Sequence, residues 1–78
     1  MKADHAISLV TGATGYVGGR LLRRLVENGD RVRAMVRNPR NLQLQPNERT
    51  EVVKGDVFQP ETLVEALRGV DTAFYLIH

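Results

Sequence analysis

Between Ile7 and Leu22 the chain reads ISLVTGATGYVGGRLL, which packs four glycines (Gly12, Gly15, Gly18 and Gly19) into eight residues. No other stretch limits the possible fold so tightly. Glycine gives up more backbone freedom on folding than any other residue, so a cluster between a β-branched run and a leucine-rich run needs a physical reason. Two reasons fit: a sharp reversal of the chain, or a backbone that must approach something bound. Gly12 stands where an apolar strand ends, Gly15 within the turn, and Gly18 in the first turn of a helix. In that arrangement the first glycine permits the sharp exit from the strand and the second leaves room for a phosphate against the backbone. The third lets the helix pack closely on the sheet. The helix start presents unpaired N–H groups and a partial positive charge, both suited to an anion. Thr11 and Thr14 offer hydroxyl donors beside it. A plain strand-to-helix turn would need only one glycine. A P-loop is excluded, because no Lys-Ser or Lys-Thr follows the glycines.

The segments around this turn alternate between two periodicities. Ala6–Val10 (AISLV) is a short apolar run that predicts a strand. Tyr16–Asn28 predicts an amphipathic helix, with Val17, Leu21, Leu22, Leu25 and Val26 on one face and Arg20, Arg23, Arg24 and Glu27 on the other. Gly29 is placed to close that helix in a left-handed cap. Arg31–Arg37 (RVRAMVR) alternates as a second strand, which Asn38-Pro39 breaks. Arg40–Arg49 is polar, anchored only by Leu42 and Leu44, and reads as a loop with room for one helical turn. Thr50–Lys54 predicts a third strand. Pro60–Leu67 predicts a second helix with Leu63, Val64 and Leu67 buried and Gly69 as its cap. Thr72–Ile77 (TAFYLI) is an almost unbroken apolar run, as expected of a strand covered on both faces. Strands joined through helices imply right-handed crossovers and a parallel sheet. The expected fold class is therefore α/β: a partial Rossmann fold of about four parallel strands in the order 3-2-1-4 with flanking helices.

Size and composition narrow the class further. Seventy-eight residues make one domain at most. A chain of that length buries only about 60% of its unfolded surface, so thin stability is expected. With 42% hydrophobic and 26% charged residues it is an ordinary globular sequence. A net charge of +2 gives no argument for nucleic acid or for a membrane surface as partner. No cysteine is present, which rules out disulfides and thiolate metal sites. Met1–His5 is polar and does not read as a signal peptide, and no apolar run nears the roughly 20 residues that span a bilayer. A cytoplasmic protein is the expectation.

TGATGYVG resembles the T-G-x-x-G-x-x-G signature of the short-chain dehydrogenase/reductase superfamily. More narrowly, the chain resembles its extended and atypical branches, the nucleoside-sugar-epimerase-like and NmrA-like NAD(P)-binding proteins. The resemblance runs from Ile7 to His78, and three further motifs agree with it in order and spacing. It implies that Gly12, Thr14, Gly15, Tyr16, Val17 and Gly18 hold the pyrophosphate of a dinucleotide. At the end of the second strand, where a carboxylate would bond the adenosine ribose of NAD, this chain has Arg37, then Arg40, and no Asp or Glu between Arg31 and Asn47. The planar donors of arginine suit a 2′-phosphate, so NADP is the expected cofactor, with NAD as the alternative. In KGDVFQPETL, Asp56 matches the family position that accepts from the adenine amino group and Val57 the one that lines the adenine pocket. By its residue type alone Asp56 reads equally well as a turn cap. The end of the fourth strand would bring Leu76, Ile77 and His78 near the cofactor.

The superfamily's reaction uses a Tyr-x-x-x-Lys pair with a nearby Ser or Thr, and nothing of that kind occurs here. Tyr16 and Tyr75 are the only tyrosines, Lys2 and Lys54 the only lysines, and neither tyrosine has a lysine four residues on. His78, at a terminus, lacks an orienting partner for a catalytic role, and with His5 it forms no metal-ligand spacing. Residues 1–78 are thus expected to be the N-terminal portion of a dinucleotide-binding domain from a larger protein. The resemblance implies that this larger protein is a reductase or epimerase-like oxidoreductase, or alternatively a non-catalytic NmrA-like dinucleotide sensor. With no fifth strand beside it, the stretch 72–77 would be an apolar edge open to self-association.

Overall fold

The computed structural model describes residues 6–42 and 48–76. Leu44, Ile77, His78, Lys2 and His5, on which some of the expectations above fall, lie outside the described residues. Strand β1 (Ile7–Thr11) leads through the glycine turn into helix α1 (Tyr16–Glu27), then β2 (Arg31–Val36), a 3-10 turn (Pro39–Asn41), β3 (Thr50–Lys54), helix α2 (Pro60–Ala66) and β4 (Thr72–Phe74). All pairings are parallel and the strand order is β3-β2-β1-β4. This is the expected doubly wound arrangement, reached because each pair of strands is separated by a crossover.

The two central strands form the floor of the core. Leu9, Val10, Val32, Ala34, Met35 and Val36 are buried, and side chains alternate to opposite faces of the sheet. On one face Val10, Val32, Ala34 and Val36 pack with Ala13 and Leu22, supported by Leu21, Leu25 and Val26 of α1. On the other, Leu9 and Met35 meet Ala66 of α2, with Leu63, Val57 and Val70 beside them. Gly29 takes φ +83° after α1, and its N–H reaches the Val26 carbonyl at 3.0 Å. A left-handed residue there lets the chain leave the helix without a Cβ clash.

Five expectations need correction. Val17 is exposed, because it lies in the first turn of α1, at the rim of the sheet where no strand runs beneath it. Val64 and Leu67 are exposed as well. The seven-residue α2 turns Leu63 and Ala66 inward, and of its residues only the small alanine is fully buried, beside Met35. Gly69 has φ +76°, but α2 ends at Ala66 with Leu67 as its cap, so Gly69 serves the turn that follows. The fourth strand covers only Thr72–Phe74 among the described residues. It pairs on one side with β1, and its residues are exposed or half-buried, not covered on both faces. The first strand runs one residue later than its apolar run suggests, because Thr11 pairs with Met35.

Polar side chains secure what packing leaves loose. Asp71 accepts from the Ile7 N–H at 2.8 Å and donates its own N–H to the Ile7 carbonyl at 2.9 Å, fixing the start of β4 against β1. At the other end the Thr11 hydroxyl donates to the Phe74 carbonyl at 3.1 Å and accepts from the Leu76 N–H at 2.9 Å. Arg33 of β2 donates to the carbonyls of Ala66 (2.6 Å) and Arg68 (2.7 Å) and to the Glu51 carboxylate of β3. It thereby holds the C-terminal end of α2, where exposed carbonyls favour a cation.

Candidate functional site

The carboxyl ends of β1, β2 and β3 open onto one cleft of about 240 Å³. It is lined by Gly12, Thr14 and Gly15 from the glycine turn, Met35, Val36 and Arg37 from β2, Gly55 to Phe58 beyond β3, and Leu76 beyond β4. Ligands of open parallel sheets bind in this position, at the strand ends where the topology reverses.

The glycine turn is built from two close approaches. Gly12 has φ +67°, and a Cβ there would collide with the Leu76 carbonyl oxygen. At Gly18 a Cβ would collide with the Gly12 carbonyl. Helix α1 can therefore sit against β1 only because Gly18 lacks a side chain. The turn is closed by Gly15 N–H donating to the Gly12 carbonyl at 3.0 Å. The N-cap residue of α1, Gly15, has no side chain to cap it, and the first turn of α1 carries no acidic residue. The electropositive end of the helix thus remains available at the cleft.

The parallel register brings the other walls together. Val36 pairs with Lys54, and Gly55 N–H donates to the Val36 carbonyl at 2.9 Å, so the residues after β2 and after β3 lie side by side. Gly55 is buried against Met35, whose Sδ would stand 2.7 Å from any Cβ added there. Asp56 begins a tight turn. Its N–H donates to Thr62 Oγ1 (2.9 Å), its Oδ1 accepts from Phe58 N–H (2.9 Å), and its carbonyl accepts from Gln59 N–H (2.9 Å). The turn-cap reading of Asp56 is therefore correct for Oδ1. Its Oδ2 makes no hydrogen bond to a described residue, which leaves one carboxylate oxygen for a ligand donor.

Of the residues singled out in the sequence, Gly12, Thr14, Gly15, Arg37, Asp56 and Val57 line this one cleft, as does Leu76. Gly18 is buried beneath it as a packing residue, and Val17 is exposed outside it. Tyr16 lines a neighbouring cleft with Arg20, Arg23 and Asn41. Its hydroxyl accepts from Arg20 at 2.9 Å, and the guanidinium lies 5.5 Å from the ring centre. Arg40 is exposed on the 3-10 turn and lines neither cleft; its N–H donates to Asn38 Oδ1 at 3.1 Å. Thr11 is not a ligand donor. It is buried, and its hydroxyl is used by β4. Met35, Val36, Gly55 and Phe58 line the cleft without having been anticipated. Met35 and Val36 looked like any strand residues, whereas Phe58 carried one usable signal: an aromatic in a polar turn directly after Asp56.

Over residues 12–77 the chain matches the family described as NAD(P)H-binding. It belongs to that family. It is 37% identical over 75 residues, 96% of its length, to a 3-beta-hydroxysteroid dehydrogenase of Mycolicibacterium neoaurum, and spans 20% of that protein. It is 37% identical over 84 residues to a dihydroflavonol 4-reductase of Arabidopsis thaliana, covering 97% of this chain and 22% of the reductase. Among solved structures, a Rossmann-fold NAD(P)-binding family protein from Shigella flexneri superposes with a TM-score of 0.83 at 19% identity, over 94% of this chain and 38% of that one. The chain thus spans about a fifth of the length of the curated relatives it matches. It is an NAD(P)-binding Rossmann domain sequence with short-chain dehydrogenase and epimerase-like relatives. No helix among the described residues is long and apolar enough to cross a membrane.

Proposed function

We propose that the cleft holds the adenosine and pyrophosphate half of a dinucleotide, with NADP preferred over NAD. One observation carries this reading: a single cleft gathers the glycine turn, Arg37 and Asp56 with Val57. The uncapped start of α1 and the backbone from Gly12 through Thr14 to Gly15 face the pyrophosphate, with Tyr16, Val17 and Gly18 completing the turn behind them. Arg37, on the cleft wall, neutralises the 2′-phosphate, a task that a forked guanidinium performs well. The free Oδ2 of Asp56 accepts from the adenine amino group and Val57 packs on the base. The cofactor would supply hydride transfer at its nicotinamide; this chain's own residues bind and orient its other end.

The share of its relatives that the chain spans supports a further step. Residues 1–78 act as the N-terminal part of the cofactor domain in a longer, cytoplasmic reductase or epimerase-like protein, whose reacting residues lie outside them. Among the described residues the outer edge of β4 carries no strand, and in the 78-residue chain by itself that edge would let a second copy add to the sheet. A purely monomeric species in light scattering at high concentration would dismiss that association.

The site is tested by amide chemical-shift titration with 2′,5′-ADP and, in parallel, 5′-AMP. Shifts at Gly12, Gly15, Arg37 and Asp56 that saturate at least about tenfold earlier with 2′,5′-ADP are expected, since a charge-assisted phosphate contact is worth roughly 1.5–3 kcal/mol. Equal affinities would remove the NADP preference. An unperturbed, well-dispersed spectrum would remove the site itself.

A further inference from the structure

Phe58 is the most exposed large apolar side chain among the described residues, at 79% of its full accessibility, and it lies on the rim of the cofactor cleft. It belongs to neither core cluster. An isolated exposed aromatic is common enough, but the backbone beneath this one is held by several hydrogen bonds. Phe58 N–H is bonded to Asp56 Oδ1, the next N–H to the Asp56 carbonyl, and Thr62 Oγ1 braces both ends of the turn through Asp56 and Gln59. Those bonds fix the Cα position of Phe58, so only two side-chain torsions remain to be ordered when the ring acquires a partner. The carboxylate that builds this turn is the one whose other oxygen is offered to the adenine amino group.

We infer that Phe58 is an adenine-stacking residue: its ring closes over the face of the base whose edge Asp56 engages. This rests on the dinucleotide reading above and adds a contact to it. Every part of the turn then has a use. Gly55 admits Met35 beneath the cleft, Asp56 reads the base edge and sets the turn, and Phe58 supplies a π-face at the open side. Removing an aromatic side chain that stacks on a base lowers affinity roughly 5- to 150-fold, so the ring is a major source of affinity for the adenosine half. An aromatic on the rim also shields the Asp56 carboxylate from water once the base is in place, which strengthens its hydrogen bond to the amino group.

The test compares the 78-residue chain with Phe58→Ala, Phe58→Leu and Phe58→Trp for binding of 2′,5′-ADP. Because the side chain is exposed, all variants should keep the far-ultraviolet circular dichroism of the parent. Phe58→Ala and Phe58→Leu should weaken binding about tenfold or more, leucine failing despite its apolar area, while Phe58→Trp retains affinity and its indole fluorescence is quenched as ligand saturates. If the parent binds and the alanine variant binds equally well, or if the tryptophan emission ignores the ligand, Phe58 does not stack. If leucine restores full affinity, the contact is apolar cover and the stacking assignment is wrong. If the parent itself fails to bind 2′,5′-ADP, the dinucleotide reading falls and the inference with it, a failure the parent titration alone identifies.

Discussion

The unit β1–α1–β2 and the unit β3–α2–β4 have the same kinds of apolar signal and very different degrees of burial. In the first, both strands are central in the sheet and the twelve-residue α1 lays Leu21, Leu22, Leu25 and Val26 on them. In the second, both strands are edges, β4 is three residues long, and the seven-residue α2 fully buries only Ala66. The first unit is held by packing. The second is held largely by point contacts: Arg33 on the end of α2, with Asp71 and Thr11 at the two ends of β4. An apolar residue gains from burial only where a neighbour exists to cover it, so the same pattern has different consequences at the centre and at the edge of a sheet.

That contrast can be broken from the packed side first. Leu22→Ala should destabilise the domain by about 3 kcal/mol, the usual cost of a cavity at a fully buried leucine. Against a total of order 5 kcal/mol for a chain this small, urea unfolding followed by circular dichroism should show a midpoint collapse. A loss below 1 kcal/mol would mean that α1 is not seated as described. Arg33→Ala should cost about 2 kcal/mol, since the guanidinium is mostly buried and serves two carbonyls and a carboxylate. The signature is local: hydrogen exchange at the Leu67 amide, bonded to Leu63, should quicken much more than at Val32. Uniform acceleration would show that the two units do not separate as argued.

Smaller effects sharpen the picture. Thr11→Val keeps the shape but strands the Leu76 amide, for a loss of about 1–2 kcal/mol read by thermal unfolding. Thr50→Val should act in the opposite direction. The Thr50 hydroxyl is buried without a partner among the described residues, so valine should raise the melting temperature by the roughly 4–8 °C that about 1 kcal/mol gives in a small domain. A lower melting temperature would refute the orphaned hydroxyl. Val64→Ala should change stability by under about 0.5 kcal/mol, because the side chain is already in solvent.

The element order and the sheet topology were legible because glycine placement and strand-helix alternation leave few arrangements for a right-handed parallel sheet. Burial along α2 was not. Leu63, Val64 and Leu67 compete for the inward face at the same spacing, and the alanine that wins, Ala66, is too small to mark a pattern. In the glycine turn the close approaches at Gly12 and Gly18 were legible from their positions, whereas the exposure of Val17 and the burial of Thr11 were not. Of the far wall, Arg37, Asp56 and Val57 were named but Met35, Val36, Gly55 and Phe58 were not, since their meeting depends on which residue of β2 faces which of β3. Parallel strands have no hairpin turn to set their register, so the meeting of Val36 with Gly55 is visible only in three dimensions. Arg40 shows the same limit: three residues from Arg37 in sequence, it sits on a turn that leaves the cleft.

The Thr11 hydroxyl touches no ligand position, yet it joins two things usually treated apart. It grips the chain on both sides of Tyr75, and the Leu76 carbonyl that it thereby steadies rests directly over the Cα of Gly12. The last turn of the fourth strand and the first turn of the phosphate loop therefore behave as one rigid joint. A pull on Leu76 therefore reaches the floor of the cleft through the Thr11 hydroxyl and the Leu76 carbonyl together.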